Sequence, residues 1–268
     1  MATRKPAPTQ PQLPPGEAPL DTATLDSFLR SMGTEMVLVG GQALAFWMNR
    51  YGIEAHGAAI SNDGDVLGKI DRARLIAKEM RAALIEPDHR ALTSLVAQMR
   101  VPVGRQGLVR NIDVLHLLYT VSGLRKSAEF TAAVWRDSVE IEWKPGHRIR
   151  VMHPLHVLDS RVQNAVGLLD DKGPHVLTQA GWAIEMARAA IVRVLNQADE
   201  DTRLGAMLKQ VHGLAGSRAG RQLLREHGLE VLHAVPIAEI RRKSPQQEPQ
   251  LRAIERLAAK RASPSQQD

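Results

Sequence analysis

"EMVLVGGQALAFW", residues 35–47, is the stretch on which the fold turns. Met36–Val39 is an apolar run of strand length, and after Gly40-Gly41 the apolar residues fall at helical spacing. The segment reads as a buried strand ended by two glycines, then a helix running to Gly52. Bare backbone N–H groups at a helix N-terminus favour an anion, because the amides point outward and the helix dipole is positive there. No Gly-Lys-Ser/Thr follows the glycines, so the P-loop pattern is absent. Taken alone, the pair reads first as a tight strand-to-helix turn.

"SNDGDVLGK", residues 61–69, holds Asp63 and Asp65 two apart. On an extended strand both side chains face the same way. Two carboxylates that close repel, so a cation is expected between them, and Mg²⁺ suits because it takes oxygen ligands while keeping waters and substrate phosphates. An exposed Asx turn is the plainer reading of "NDG" by itself. "NIDVLHLL", residues 111–118, shifts the balance. It sets Asp113 inside an otherwise apolar strand, where a carboxylate is costly unless paired or bound to metal. Three carboxylates meeting from separate strands suit a two-metal centre, with ions about 3.5–4 Å apart.

The order "VGGQALAFW", "SNDGDVL", "NIDVLHLL" resembles the DNA polymerase β-like nucleotidyltransferase superfamily, nearest its bacterial abortive-infection toxin-type members. The resemblance covers roughly residues 35–120 and, loosely, the helical half. It implies an α/β (α+β) fold, with a small mixed β-sheet nucleotidyltransferase domain over 21–152 followed by an α-helical bundle over 153–243. It also implies Mg²⁺-dependent transfer of an NMP from an NTP to an RNA such as tRNA, a protein or a small molecule. Gly40 and Gly41, with the adjoining Gln42, would hold the nucleotide. Asp63 and Asp65 would bind both Mg²⁺ ions, one arriving with the NTP, and Asp113 would hold the catalytic ion and act as base. Toxin-type members carry a Lys and a Lys-Asp pair in the helical half; Arg161 and Asp170–Lys172 are the nearest matches, with Arg161 on the nucleotide. An antitoxin partner follows from the same resemblance. Gly64 stands where the family has a hydrophobic residue, so the strand is expected to bend or end there. Two other readings stand beside this one: a degenerate fold acting as a nucleotide- or partner-binding module, and a small-molecule adenylyltransferase.

Bulk properties bound these readings. The 268 residues are 44% hydrophobic and 24% charged, ordinary for a globular chain with one large or two modest domains. Cysteine is absent, which excludes disulfides, thiolate catalysis and cysteine-based zinc. No eighteen-residue apolar run and no N-terminal apolar segment occur, so a cytoplasmic chain without a membrane span is expected. The aromatic content of 3% argues against a single-strand binder that stacks bases.

Residues 1–20, rich in Pro and Gln, are expected to be disordered. Asp21 or Thr22 caps a first helix. "DRARLIAKEMRAALI", 71–85, reads as a helix, and strands are expected at 91–101, 107–119, 138–143 and 147–152. Residues 241–268 hold seven Lys/Arg and three Asp/Glu. Most of the net charge of +6 therefore lies in 241–268, where a basic tail, 244–268, is expected to hold one short helix. His153 and His156 have ligand-like spacing, but Pro154 favours capping or packing over metal. His116 is placed opposite Asp113 on its strand.

Overall fold

The computed structural model describes residues 13–55, 61–88, 90–104, 107–197 and 200–262. The first half alternates helices and strands: α1 (Thr22–Met32), β1 (Val37–Leu38), α2 (Gly40–Arg50), β2 (Gly64–Leu67), α3 (Ile70–Glu79), β3 (Ala83–Ile85), β4 (Leu95–Val103), β5 (Leu108–Leu115), α4 (Leu124–Asp137), β6 (Val139–Lys144) and β7 (His147–Val151). The second half is helical: α5 (Pro154–Gly167), α6 (Leu169–Lys172), α7 (His175–Leu195), α8 (Asp201–Gly216), α9 (Arg218–His227), α10 (Ile237–Lys243) and α11 (Glu248–Ala262). The class is mixed α/β. Among the described residues, no helix is long and apolar enough to cross a membrane.

The seven strands form one sheet in the order β3-β4-β5-β2-β1-β7-β6. β2 runs parallel to β5, and β1 parallel to β7, while the other neighbours are antiparallel. β1 is short because the glycine pair belongs to the helix: α2 starts at Gly40, whose φ of 65° only glycine adopts without strain. The strand β2 starts at Gly64 rather than ending there. A Cβ at Gly64 would sit 3.3 Å from both Ile112 and Leu20, which already fill the position a hydrophobic side chain would take.

The first helix forms as expected, with the Asp21 carboxylate accepting from Thr24 N–H at 2.8 Å and Phe28, Leu29 and Met32 buried. The helix expected over 71–85 is shorter. It ends at Glu79, Arg81 takes a φ of 53°, and Ala83–Ile85 turns out as an edge strand on β4. Strand pairing there outcompetes the local helical preference of an alanine-rich segment.

The sheet and the helical half share one core. Leu44, Val151, Leu158 and Ala187 belong to the same buried cluster, and Trp47 Nε1–H donates to Met152 O at 2.8 Å across the junction. The boundary expected at 152 is where strands give way to helices, with no linker between them. His153 caps α5, its Nδ1 accepting from Leu155 N–H at 3.3 Å, and His156 Nε2 lies 3.1 Å from Asp137. Both histidines therefore have capping and packing roles.

Two supposed tails depart from expectation. Residues 1–12 lie outside the described residues, but 13–20 run along the sheet. Ala18 N–H donates to Val109 O at 2.8 Å, Val109 N–H to Gly16 O at 3.1 Å, and Leu20 N–H to Asn62 O at 2.8 Å. The segment thus extends the line of β2 beside β5, so it is not disordered. At the other end, α11 buries Leu251 and Ile254. Arg241 pairs with Glu248 and Glu255, and Arg261 with Glu230. Much of the basic charge is therefore spent within the fold. Residues 263–268 lie outside the described residues.

Candidate active site

The site grows from the parallel register of β2 and β5, in which Asp65 stands directly beside Asp113. In-register neighbours on adjacent strands, about 4.8 Å apart, project to the same face. Val66 and Val114 project to the other face and are fully buried. That alternation lets apolar strands carry two acids. Asp63, two residues before Asp65, lines the same cleft.

The glycine pair is built around Asp65. A Cβ on Gly40 would overlap the Asp65 carboxylate, and would sit 2.7 Å from Asp65 Cβ. Gly41 N–H donates to that carboxylate. Since α2 has no side-chain cap of its own, Asp65 serves as one from the neighbouring strand. The resemblance assigns the glycines to phosphates, but here the first amides of the helix orient a carboxylate. Gly41 lines the cleft; Gly40 lies behind it. Gln42 is not on the cleft wall. Its amide donates to Ser61 O at 3.4 Å and Asp63 O at 3.3 Å, pinning the loop that carries Asp63.

The cleft has a volume of about 700 Å³, and its far wall comes from the helical half. Arg161 and Asn164, one helical turn apart on α5, line it together with Asp170, Asp171, Lys172, His175 and Gln179. Arg161 is only 7% exposed. Its Nη1 donates to Gln179 Oε1 at 3.0 Å and its Nη2 to Ser160 Oγ at 3.1 Å, while Nε has no partner among the described residues. These hydrogen-bond partners are neutral, and the anion that acts on the guanidinium, Asp65, makes no hydrogen bond or ion pair with it. A buried charge in that condition is expensive.

The electrostatics follow the geometry. Burial, then the charges of Asp65, Asp113 and Glu17, push the Asp63 carboxyl up to about 6, with Lys172 opposing. Burial also raises Asp65, against Lys172, Arg161 and the Gly41 amide. Asp65 keeps some surface toward the cleft although it lies deep among protein atoms. Burial raises Asp113 as well. Its bond from Gln98 Nε2, at 2.9 Å to Oδ1, and Lys172 pull the other way, while Asp65 and Glu17 add to the rise.

Three contributors escaped the sequence reading. Gln98 sits opposite Asp113 in the β4–β5 register and supplies its hydrogen bond. Its signal was a lone amide in "LVAQMRV". Gln179, on α7, accepts from Arg161. Glu17 brings a further carboxylate to the cleft, beside the three strand-side acids, from a proline-rich stretch with no period to flag it.

Among the described residues, no group of three His, Cys, Asp or Glu side chains is placed so that it could hold a metal ion. The donor set nonetheless fits a hard divalent cation. Asp63, Asp65 and Asp113 offer carboxylate oxygens whose pKa values burial raises, with repulsion from neighbouring acids adding to the rise at Asp63 and Asp113, and Gly40 leaves room for Asp65. Neither a family model nor a curated protein matches this chain.

Proposed function

We propose that the chain is a Mg²⁺-dependent nucleotidyltransferase with the polymerase β-like fold followed by a helical bundle. The observation that carries this reading is the in-register pair Asp65–Asp113 facing buried Arg161 and exposed Lys172 across one cleft. The strand wall carries only acids among its charged groups, and the helical wall carries Arg161 and Lys172 beside Asp170 and Asp171. Acids for a metal facing cations for phosphate suit a cation-bound polyphosphate, negative at its phosphates and positive at its metal.

In this reading Asp63, Asp65 and Asp113 hold Mg²⁺, which would neutralise phosphate charge and make the acceptor hydroxyl more acidic. Arg161 and Lys172 bind the triphosphate from the opposite wall, where the unpaired Arg161 Nε finds an oxygen. The acceptor oxygen attacks the α-phosphorus, the α–β phosphoanhydride bond breaks, and pyrophosphate leaves. Asp113, its basicity raised by burial, takes the hydroxyl proton. Gly41 holds Asp65, and Gln42 holds the Asp63 loop, so both act on the acids.

The test is transfer of labelled NMP from each of the four NTPs, with Mg²⁺, to total RNA, protein or small acceptors. Label transfer that is lost in Asp113→Asn supports the reading; no transfer to any acceptor counts against an active enzyme. The toxin form, with tRNA as acceptor and an antitoxin partner, predicts growth arrest on expression that Asp113→Asn relieves. A second reading, a degenerate module that binds nucleotide or a partner, is favoured by two observations: the Gly41 amide already serves Asp65, and no group of three His, Cys, Asp or Glu among the described residues is placed to hold a metal ion. Mg²⁺-NTP binding without turnover would select it.

A further inference from the structure

A second pocket, of about 330 Å³, lies at the other end of α2, between that helix, β6, α7 and α8. Arg50, Arg193 and Arg203 reach it from three different helices, around Tyr51, Trp47 and His153. The Tyr51 phenol feels all three guanidinium groups; burial raises its pKa and the three cations oppose that rise. Three like charges gathered on one small space repel, as the carboxylates do in the acidic cleft.

Helix dipoles account for only part of this. Arg50 and Arg193 stand in the last turns of α2 and α7, where cations are favoured. Arg203 stands in the first turn of α8, where a cation is disfavoured. Nor do Glu140 and Glu142 pair with the trio among the described residues. Glu140 turns to Arg148 at 2.7 Å, and Glu142 accepts from Gly146 N–H at 3.0 Å. The contact of Arg203 with Glu200 is loose, at 3.6 Å.

The floor is aromatic and fixed. Trp47 and Tyr51 stack with ring centroids 5.6 Å apart and planes 17° apart, and the Trp47 indole is anchored on Met152 O. His153 also lines the pocket, its Nδ1 committed as acceptor to Leu155 N–H. Burial, then His156 and Arg203, hold its pKa down to about 4, so the ring is neutral. In the neutral ring Nε2 then carries the hydrogen and is a donor.

We propose that this pocket is a second ligand site, taking a phosphoryl group on a small molecule, held by Arg50, Arg193 and Arg203. A phosphate monoester carries close to two negative charges at neutral pH, with oxygens that suit guanidinium forks. The volume is at the small end of ligand pockets, enough for a phosphate with a compact organic group beside the aromatic floor. The site is separate from the acidic cleft and does not depend on the activity assigned to it.

The test is calorimetric titration of the full chain with inorganic phosphate, AMP and adenosine. The expected result is binding of both phosphate and AMP, no binding of adenosine, and tenfold or greater weakening in the Arg193→Gln/Arg203→Gln double variant. Tighter AMP than phosphate identifies an organic phosphate as the ligand, and equal affinity identifies free phosphate. Titrations are run without Mg²⁺, and the binding assigned to this pocket is the part that persists in Arg161→Gln, in the other cleft. The arginines are exposed, so the variants keep the fold, checked by thermal melting. Adenosine binding as well as AMP overturns the proposal. So does binding that survives the double variant but is lost in Arg161→Gln, or no binding of phosphate or AMP up to about 10 mM.

Discussion

Asp65 and Asp113 stand side by side on parallel strands, and the hydrogen bonds each receives are fixed by a different neighbour: the Gly41 amide for Asp65, the Gln98 amide for Asp113. The pair is therefore held in place before any ligand arrives. Replacing Asp113 by Asn keeps an oxygen to accept from Gln98 and removes both the charge and the proton acceptor. Transfer should fall by about 10²-fold or more, while the thermal transition without metal stays level or rises, since a buried like charge is gone. A fall in both together would make Asp113 a structural residue only.

Gly40 carries the tightest steric constraint in the site. Its φ of 65° disfavours any L side chain, and a Cβ would overlap the Asp65 carboxylate. Gly40→Ala should destabilise by about 2 kcal/mol or more and displace Asp65. Denaturant unfolding measures the first effect, and Mg²⁺-dependent stabilisation the second. Gly41→Ala, at a residue with ordinary helical backbone, should be milder on unfolding.

How far the site was legible follows from these residues. Asp63, Asp65, Asp113 and the glycine pair announced themselves because acids inside apolar strands and paired glycines are locally costly, and that cost is written in the sequence. Their partners were less visible. Gln42 has the same composition signal whether it touches a nucleotide or a backbone carbonyl. Glu17 reaches the cleft only because residues 16–18 align beside Val109, a pairing between segments far apart in the chain. Likewise Ala83–Ile85 becomes a strand through β4, which no local period reveals. The helical half was read well because its helices are long and periodic.

The acidic cluster sets a pH dependence. The Asp63 carboxyl, about 6 folded against 3.8 as its ordinary value, contributes stability that is fully present below the unfolded pKa. That contribution is lost as pH rises through about 6, and amounts to roughly 2–3 kcal/mol. Without metal, Asp63→Asn should therefore gain on the wild type as pH rises from 4 to 7. The substitution leaves in place the backbone carbonyl that Gln42 and Ser61 hold. Glu17→Gln removes a charge that raises Asp63, so the wild-type transition should move to lower pH. Melting curves in chelator at several pH values check both, and a flat difference between wild type and Asp63→Asn would refute the coupling.

Arg161 presents the opposite case, a buried cation awaiting an anion. Arg161→Met keeps much of the volume and removes a charge that burial holds below its ordinary pKa. Unliganded stability should hold or rise by about 1 kcal/mol, while Mg²⁺-NTP affinity drops at least tenfold, about 1.4 kcal/mol. Fluorescent-nucleotide titration reads the affinity. Loss of the fold instead would mean that the Gln179 and Ser160 contacts already satisfy the guanidinium.

The C-terminal helix turns a charge argument into a packing one. Removing residues 244–268 would probe for a polyanionic acceptor if they were a tail, but α11 is part of the core. Leu251 and Ile254 are buried, Gln247 donates to Asp201 O at 2.8 Å, and Arg261 joins Glu230. Two buried aliphatic side chains alone are worth about 3–6 kcal/mol, a large fraction of a typical domain's stability. The deletion should therefore abolish cooperative melting and every activity, whatever the acceptor. The informative change is Arg252→Gln, on an exposed side chain paired with Glu248, because it lowers basic charge without opening the core. Unchanged melting with reduced transfer to RNA, but not to small acceptors, would assign this face to nucleic acid. Equal transfer to both would leave α11 a packing element.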